Sequence, residues 1–193
     1  MDKPAPSDQP IHPLLAGRWS GRSFDASRDV DLRTLHGLLE AARWAPSCSN
    51  EQPWRFVLGA RGVDDAHQGR WQAIFDGLAG GNKPWCKDAS AFVVTLATRT
   101  FAASGKQNAW AWHDVGAAGL AIALQGHARG VVAHPMAGYE EADLRRSLDL
   151  PEDLDVVAVW ALGFPGPADA LEEPFRSREL APRVRKPLSD LLL

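Results

Sequence analysis

The chain has 193 residues, which is enough for one domain with a substantial core and a tight fit for two. Hydrophobic residues make up 45% and charged residues 23%, as in an ordinary soluble globular protein, and the net charge of -3 argues against nucleic-acid binding by bulk electrostatics. Its two cysteines, Cys48 and Cys86, form neither a CxxC pair nor an extracellular disulfide framework, so a reduced, cytoplasmic protein is expected.

The N-terminal part begins with ten residues that are rich in proline and polar side chains and are expected to be disordered. They lack the apolar core of a signal peptide. A short helix is expected near Pro13 to Gly17. Apolar residues at helical spacing between Leu32 and Ala42 then predict an amphipathic helix, with Asp29 or Asp31 as its N-cap and Pro46 as its stop.

The middle of the chain alternates between strand and helix patterns. Residues 55–60 are typical of a strand, residues 64–79 of a helix and residues 80–89 of a loop. Residues 91–99 and residues 155–164 are nearly continuous apolar runs rich in β-branched side chains. Such runs predict buried strands.

The longest helical pattern extends from Lys106 to Arg129, and its middle, from Val115 to Gly126, is apolar on all sides. We therefore expect a helix that is buried all round, with Gly116 and Gly119 allowing another backbone to approach closely. The apolar part is too short to cross a bilayer, for which roughly 20 residues are needed, so no membrane association is expected.

The remaining chain predicts a turn with a short extended segment at residues 130–139 and a helix at residues 140–148. From Pro165 onwards the sequence is proline-rich and charged, so it cannot form its own core and must lie on another surface. Roughly four strands and five helices in one domain, residues 11–193, predict a sandwich of a sheet and helices.

Two basic groups are candidates for an anion site. Arg18, Ser20 and Arg22 would project together from an extended segment, where guanidinium groups and a hydroxyl suit a phosphate. The alternative is a solvated loop with surface arginines. A second basic group, with the same two interpretations, consists of Arg183, Arg185 and Lys186.

A polar loop, WAPSCSNEQPWRF, joins the second helix to the first strand between Trp44 and Phe56. A plain connection needs only a few turn residues. The density of hydroxyl and amide groups, flanked by tryptophans, indicates that the loop holds something polar and flat.

Other chemistries find little support in the sequence. It contains no GxSxG nucleophile elbow, no zinc-ligand spacing, no Walker pattern and no GxGxxG after a strand. His113 and Asp114 could form an acid–base pair, although a structural role is the favoured interpretation. Cys48 could be a nucleophile, but no cation lies nearby in the sequence to activate it.

Five segments, in order along residues 14–190, resemble the motifs of the nitroreductase family of flavoproteins. Each is weak alone, and their order makes the signal strong. The five are RWSGRSFD, APSCSNEQPWRF, GNKPWCKDASAFVV, HPMAGY and RVRKPLSD.

This resemblance implies an α+β fold in which a mixed, mostly antiparallel sheet is flanked by helices. It also implies an intertwined homodimer with tightly bound FMN at the interface and NAD(P)H as co-substrate. The expected reaction is a ping-pong hydride transfer to a small electron-poor acceptor such as a nitroaromatic or a quinone. The alternatives are a specialised flavin-dependent dehydrogenase or oxidase, or a flavin-binding carrier or sensor with little turnover.

The resemblance also implies the cofactor contacts. The phosphate would be held from both ends of the chain, Arg22 and Asn82 would lie at the pyrimidine edge of the flavin ring, and an amide of Ala137 or Gly138 would reach its hydride-accepting nitrogen. The polar loop would contact the FMN bound mainly by the other subunit. The expected cofactor-binding residues are Arg18, Trp19, Ser20, Arg22, Pro46, Ser47, Cys48, Asn50, Asn82, Pro135, Met136, Ala137, Gly138, Arg183 and Arg185.

Two positions depart from the family pattern. Cys48 stands where serine is commoner, and a thiol is a weaker donor. Ala137 stands where several members carry glutamate, so only its backbone amide can have the implied role. The C-terminal extension, residues 165–193, is expected to wrap over the partner subunit before it returns Arg183 and Arg185 to the phosphate.

Overall fold

Four strands form an antiparallel sheet in the order β1-β2-β4-β3 in the computed structural model, which describes residues 3–193. The strands are β1 (Trp54–Ala60), β2 (Ala91–Thr98), β3 (Val132–Met136) and β4 (Leu154–Gly163). The helices are α1 (Pro13–Gly17), α2 (Leu32–Arg43), α3 (Asp65–Asp76), α4 (Lys83–Cys86), α5 (Ala111–Ala128), α6 (Glu141–Ser147) and α7 (Phe175–Leu180). The α+β fold is the one that the sequence predicts.

The central strand β2 is buried on both faces, as its apolar run predicts, because helices cover both sides of the sheet. Val93 faces the layer that contains α2 and α5, with Leu38 and Ile122 in the same apolar cluster. Phe92 faces the layer that contains α3 and α6, together with Ile74. The sheet therefore lies between two helical layers.

Helix α2 begins as predicted, and of the two candidate caps Asp31 has the role. Its carboxylate accepts a hydrogen bond from the Thr34 N–H at 2.8 Å. The helix ends at Arg43, before Pro46, so the polar loop starts at the end of this helix.

The long helix α5 begins at Ala111, so the predicted start at Lys106 is wrong. The preceding residues form a small hairpin with a bridge between Thr100 and Gln107, and Gly105 at its tip has a φ of +66°. A glycine turn of this kind cannot continue a helix. The sequence did not reveal this boundary, because the residue types at 106–110 are also compatible with a helix.

Helix α5 is also not buried all round within one chain. Gly119 is tightly packed, but against a side chain and not against the backbone that was expected: a Cβ there would lie 2.5 Å from a carbon of the Trp160 indole. Gly116, in contrast, has no atom from outside its own stretch of helix within 4 Å of its Cβ position, and Leu120 is 49% exposed. One apolar face of the helix is thus open in the single subunit.

Two short helices were not predicted. Helix α4 lies within residues 80–89, expected as a loop, and α7 lies in the C-terminal extension. Helices of one or two turns carry too little periodicity to be recognised, and they depend on tertiary packing for stability. In the described part of the chain, we find no helix with the length and apolarity that a bilayer span requires.

The terminal segments contact each other and the body of the chain. Met1 and Asp2 lie outside the described residues, and Lys3 donates to the carbonyls of Glu179 and Ala181 at 2.6 and 2.5 Å. The early part of the C-terminal extension lies on its own subunit, where Leu171 is buried in the core. Disorder of residues 1–10 and wrapping of residues 165–193 over a partner stay predictions.

Candidate functional site

The segment after α1 is extended and presents its polar side chains on one side. Helix α1 ends because Arg18 adopts an extended conformation, with a ψ of 126°. Gly21 and Ser23 are buried, whereas Arg18, Ser20 and Arg22 are only partly covered. Alternate residues of an extended chain face opposite sides, so these three side chains line a common surface, as predicted. The Arg18 guanidinium donates to the Ser20 hydroxyl at 3.3 Å.

Arginines from the other end of the chain join this surface. The Arg183 guanidinium donates to the carbonyls of Lys3 and Ala16 at 2.7 and 2.6 Å, which places it at the end of α1. Burial lowers the pKa of Arg18, and the positive charges of Arg183 and Arg185 lower it further. Three guanidinium groups therefore lie close enough to repel one another.

These three arginines have no carboxylate within 4 Å among residues 3–193. Like charges gathered without a counter-charge raise the energy of the folded chain. A bound anion with several acceptor oxygens would reverse this cost, and guanidinium groups are the donors best matched to a phosphate. The chemistry of the donor set is that of a phosphate site.

Arg22 belongs to a cluster of side chains that adjoins the three arginines. Its guanidinium lies 5.8 Å from the centroid of the Trp85 ring. The Trp85 indole N–H donates to the Asn82 side-chain oxygen at 3.3 Å, and the Asn82 amide donates to the Gly138 carbonyl at 2.8 Å. Arg22, Asn82 and Gly138 are thus joined through a continuous set of contacts.

Gly138 packs closely against the Asn82 side chain. A Cβ there would lie 2.7 Å from the Asn82 side-chain nitrogen. The preceding residues end the edge strand β3, and Met136 is buried while Pro135 and Ala137 are exposed. The backbone from Pro135 to Gly138 therefore borders the surface next to Arg22.

His134 ties this edge strand to the arginine segment and was missed by the sequence analysis. Its Nδ1 donates to the Gly21 carbonyl at 3.0 Å, and its ring lies 4.5 Å from that of Trp85. Burial lowers its pKa to about 4, so the imidazole is neutral at neutral pH. The available signal was a lone polar residue in the apolar run before Pro135.

The polar loop has an unusual backbone. Ser49, Asn50 and Gln52 all have a φ of about +55°, and they are three of the four non-glycine residues with positive φ in residues 3–193. Such conformations cost roughly 1–2 kcal/mol per residue, and they cluster at functional sites. The loop geometry is therefore maintained by specific contacts.

Those contacts come from the start of α5 and from within the loop. The Cys48 N–H donates to the carboxylate of Asp114 at 2.9 Å, and the Gln52 N–H donates to the Ser47 hydroxyl at 3.1 Å. The Asp114 side chain is buried and also lies 2.9 Å from Nδ1 of His113. Asp114 holds the loop, in keeping with the structural role favoured for it.

The expected site residues thus fall into two groups within one chain. No hydrogen bond among the described residues joins one group directly to the other. The first group comprises Arg18, Trp19, Ser20, Arg22, Asn82, Pro135, Met136, Ala137, Gly138, Arg183 and Arg185. The second group, the loop group, comprises Pro46, Ser47, Cys48 and Asn50.

Comparisons with known proteins agree on one family. A family model described as the nitroreductase family matches residues 15–164. A solved crystal structure of an oxidoreductase containing FMN is 34% identical and has a TM-score of 0.88, covering 97% of this chain and 92% of that chain.

Two named relatives are more distant. An NADH dehydrogenase from Thermus thermophilus is 29% identical in an alignment of 165 residues that covers 68% of this chain and 75% of that protein. The major NAD(P)H-flavin oxidoreductase of Aliivibrio fischeri is 31% identical in an alignment of 86 residues that covers 43% of this chain and 38% of that protein.

Proposed function

The chain belongs to the nitroreductase family, and we propose that it is an FMN-dependent oxidoreductase that uses NAD(P)H to reduce a small electron-poor acceptor such as a nitroaromatic or a quinone. The structural relative with 34% identity is described as containing FMN, and two relatives are named for NAD(P)H or NADH oxidation. The proposal for this chain is carried by the Arg183 guanidinium, which donates to the Ala16 carbonyl at the end of α1, beside Arg18 and Ser20.

The donor set fits the phosphate of FMN. That phosphate is a dianion, which needs several charge-assisted hydrogen bonds. Arg18 and Ser20 would supply them from the N-terminal side, and Arg183 and Arg185 from the C-terminal side. The mutual repulsion of the three guanidinium groups is then offset by the ligand that they bind.

The edge of the flavin ring would be contacted by the residues of the first group that lie around Arg22 and Asn82. Arg22 would place a positive charge beside the pyrimidine end, where negative charge accumulates on reduction. Asn82 would lie at the same edge, held in place by Trp85 and Gly138. An amide N–H of Ala137 or Gly138 would donate to the hydride-accepting nitrogen.

The loop group would contact FMN across the interface of a homodimer. Its residues are held by Asp114 of α5 and make no hydrogen bond to the arginine surface of their own chain within the described residues. The open apolar face of α5, with Gly116 and Leu120, follows directly after Asp114 in the sequence. A second copy seated on that face would both bury Leu120 and bring the loop to the other subunit's cofactor.

The chain supplies binding and electrostatics, and bound FMN would supply the hydride chemistry in two half-reactions, first with NAD(P)H and then with the acceptor. The buried His134 is neutral and engaged with the Gly21 carbonyl, and Asp114 is engaged with the Cys48 N–H. These two side chains therefore position backbone segments, and the arginines are left to bind the ligand.

The proposal is tested on the purified protein by its absorption spectrum and by steady-state oxidation of NADH and NADPH, with and without a quinone or a nitroaromatic. A reductase shows the flavin spectrum, bleaches on anaerobic addition of the preferred nicotinamide and recovers with the acceptor. Parallel lines in double-reciprocal plots support the ping-pong order. A colourless protein that does not bind added FMN, or a flavin reduced far more slowly than turnover requires, contradicts the proposal.

A further inference from the structure

A buried carboxylate, that of Glu179, joins the two ends of the chain at the arginine surface. Glu179 lies in the last turn of α7 and is 5% exposed. Its Oε2 accepts a hydrogen bond from the Arg22 N–H at 2.8 Å, and its Oε1 accepts one from the Ser23 N–H at 3.3 Å. A buried charge is costly unless it is hydrogen-bonded in this way.

The local packing is built around this side chain. A Cβ on Gly21 would lie 3.2 Å from Oε1, so the glycine leaves room for the carboxylate. At the end of α7, the Lys3 ammonium donates to the backbone carbonyls of Glu179 and Ala181. The N-terminal part of the chain therefore fixes this helix at two places, and Arg183 follows Glu179 by only four residues.

The position of Arg183 and Arg185 relative to Arg18 depends on this anchor. The residues after α7 are extended and largely exposed, and Val184 is 76% exposed. Glu179 is one of several contacts that set the register of the C-terminal extension against residues 16–23, together with those of Arg183 and with the Ser23 hydroxyl, which donates to the Pro167 carbonyl at 2.6 Å. Loss of the carboxylate would leave one or both backbone N–H groups without a buried partner.

The carboxylate also acts on Arg22 through its charge. Burial lowers the pKa of Arg22, and the negative charge of Glu179 opposes that change, while Arg178 adds to it. The positive charge at Arg22 is thus partly offset by Glu179. The same side chain that fixes the backbone of Arg22 sets how strongly its guanidinium can stabilise a nearby negative charge.

We propose that Glu179 is a positioning residue that holds the C-terminal arginines in register with Arg18 and limits the positive charge that Arg22 presents to the flavin ring edge. This inference rests on the proposed function. A residue with only a structural role would change FMN affinity alone. Glu179 is expected to change the affinity and the reduction potential together.

The test variant is Glu179→Gln, which keeps the size of the side chain but removes its charge and one acceptor. FMN binds about 10- to 100-fold more weakly, as expected for loss of a hydrogen bond to a charged group. The reduction potential of the flavin that remains bound shifts to a more positive value, because the charge of Arg22 is no longer offset. Trypsin cleaves the apoprotein faster after Arg183 and Arg185.

The matched control is Glu173→Gln, which makes the same charge change on an exposed side chain just before α7. Its Oε2 accepts only from the Ser177 N–H at 3.2 Å. The FMN affinity of this variant stays within about twofold of wild type, since exposed charges contribute little. Glu179→Asp keeps the negative charge on a shorter side chain. This variant is expected to lose part of the affinity for FMN and to keep the wild-type reduction potential of the bound flavin.

Unchanged FMN affinity in Glu179→Gln overturns the inference, and so does a weakened affinity with an unchanged or more negative potential. If Glu179→Gln does not fold, an FMN affinity of Glu179→Asp equal to that of wild type overturns the inference instead. Wild-type protein that binds no FMN overturns the proposed function as well. The trypsin comparison on apoprotein separates the two failures, because it reports the register of the tail without any flavin.

Discussion

The buried carboxylate of Asp114 holds the backbone N–H of Cys48 at 2.9 Å, and this contact fixes a strained loop to the first turn of the longest helix. The loop next to Cys48 contains two consecutive non-glycine residues with positive φ, Ser49 and Asn50. The start of α5 therefore determines where the polar groups of the loop point.

Replacement Asp114→Ala is expected to lower the free energy of unfolding by about 1–3 kcal/mol, because the Cys48 N–H loses its buried acceptor. FMN affinity should fall as well, since the loop no longer holds its geometry. Urea unfolding and flavin fluorescence measure the two effects. Asp153→Asn, an exposed change of one charge, is the control and should alter neither. Full FMN affinity in a destabilised Asp114→Ala protein would show that the loop does not contact the cofactor.

Arg18 and Arg22 face the same side of one segment but should differ in effect. Arg18→Ala is expected to weaken FMN binding by about 1.5–3 kcal/mol and to leave the reduction potential of the bound flavin unchanged. Arg22→Ala is expected to make the potential more negative and to slow reduction by NAD(P)H, because its charge matters most in the reduced state. Affinity and redox titrations of both variants decide this. Equal losses of affinity with the wild-type potential would make both arginines phosphate ligands.

Stability should depend on pH through His134. Burial lowers its pKa from 6.5 to about 4 in the folded protein, so the unfolded chain binds a proton first as the pH falls. The contribution of neutral His134 to the free energy of unfolding is fully present above pH 6.5. It decreases as the pH falls towards 4, by at most about 3 kcal/mol. His134→Asn keeps a donor for the Gly21 carbonyl but does not titrate in this range. Urea unfolding of both apoproteins from pH 7 to pH 4 should show a steeper decline for wild type, and parallel curves would contradict the assignment.

The open face of α5 offers a test of the homodimer. Leu120→Glu puts a charge on the most exposed leucine of that face and is expected to give a monomer that retains FMN poorly. Ala66→Glu adds the same charge to the first turn of α3, in the opposite helical layer, and should stay dimeric with normal FMN content. Light scattering and the flavin-to-protein absorbance ratio are measured together. A Leu120→Glu dimer with full FMN would remove α5 from the interface.

Two truncations separate the roles of the C-terminal extension. A chain that ends at Glu179 lacks Arg183 and Arg185 and is expected to lose FMN retention and to dimerise more weakly. A chain that ends at Lys186 keeps both arginines but lacks the exposed apolar residues from Leu188 to Leu193, so it should keep FMN and lose only dimer stability. Gel filtration with in-line absorbance at flavin wavelengths reports both properties. Unchanged dimer stability in both chains would show that the extension does not wrap over the partner.

Local patterns in the sequence were sufficient to predict a sheet that is flanked by helices. The cap of α2, predicted at Asp29 or Asp31 and found at Asp31, and the apolar runs of β2 and β4 depend on neighbouring residues alone. The hairpin before α5 was missed, because its turn at Gly105 lies within a composition that is also compatible with a helix. Periodicity records which face of an element is apolar, not where a turn interrupts it.

The candidate site was only partly accessible from sequence. Arg18 and Arg183 are distant in the chain, and only the resemblance to a family placed them together. The roles of His134 and Glu179 arise from long-range contacts, of His134 with the Gly21 carbonyl and of Glu179 with two backbone N–H groups. Nothing in the sequence around a lone histidine or a lone acid in a charged tail marks such a contact.

The central claim is that the arginines from both ends of the chain form one FMN phosphate site. Titration of the apoprotein with FMN, followed by quenching of flavin fluorescence, tests it most directly when wild type is compared with Arg18→Ala, Arg183→Ala and the exposed control Arg33→Ala. We expect one FMN per chain, a marked loss of affinity in both site variants and wild-type affinity in the control. No saturable binding by the wild-type protein, or equal affinity in all four proteins, would contradict the account.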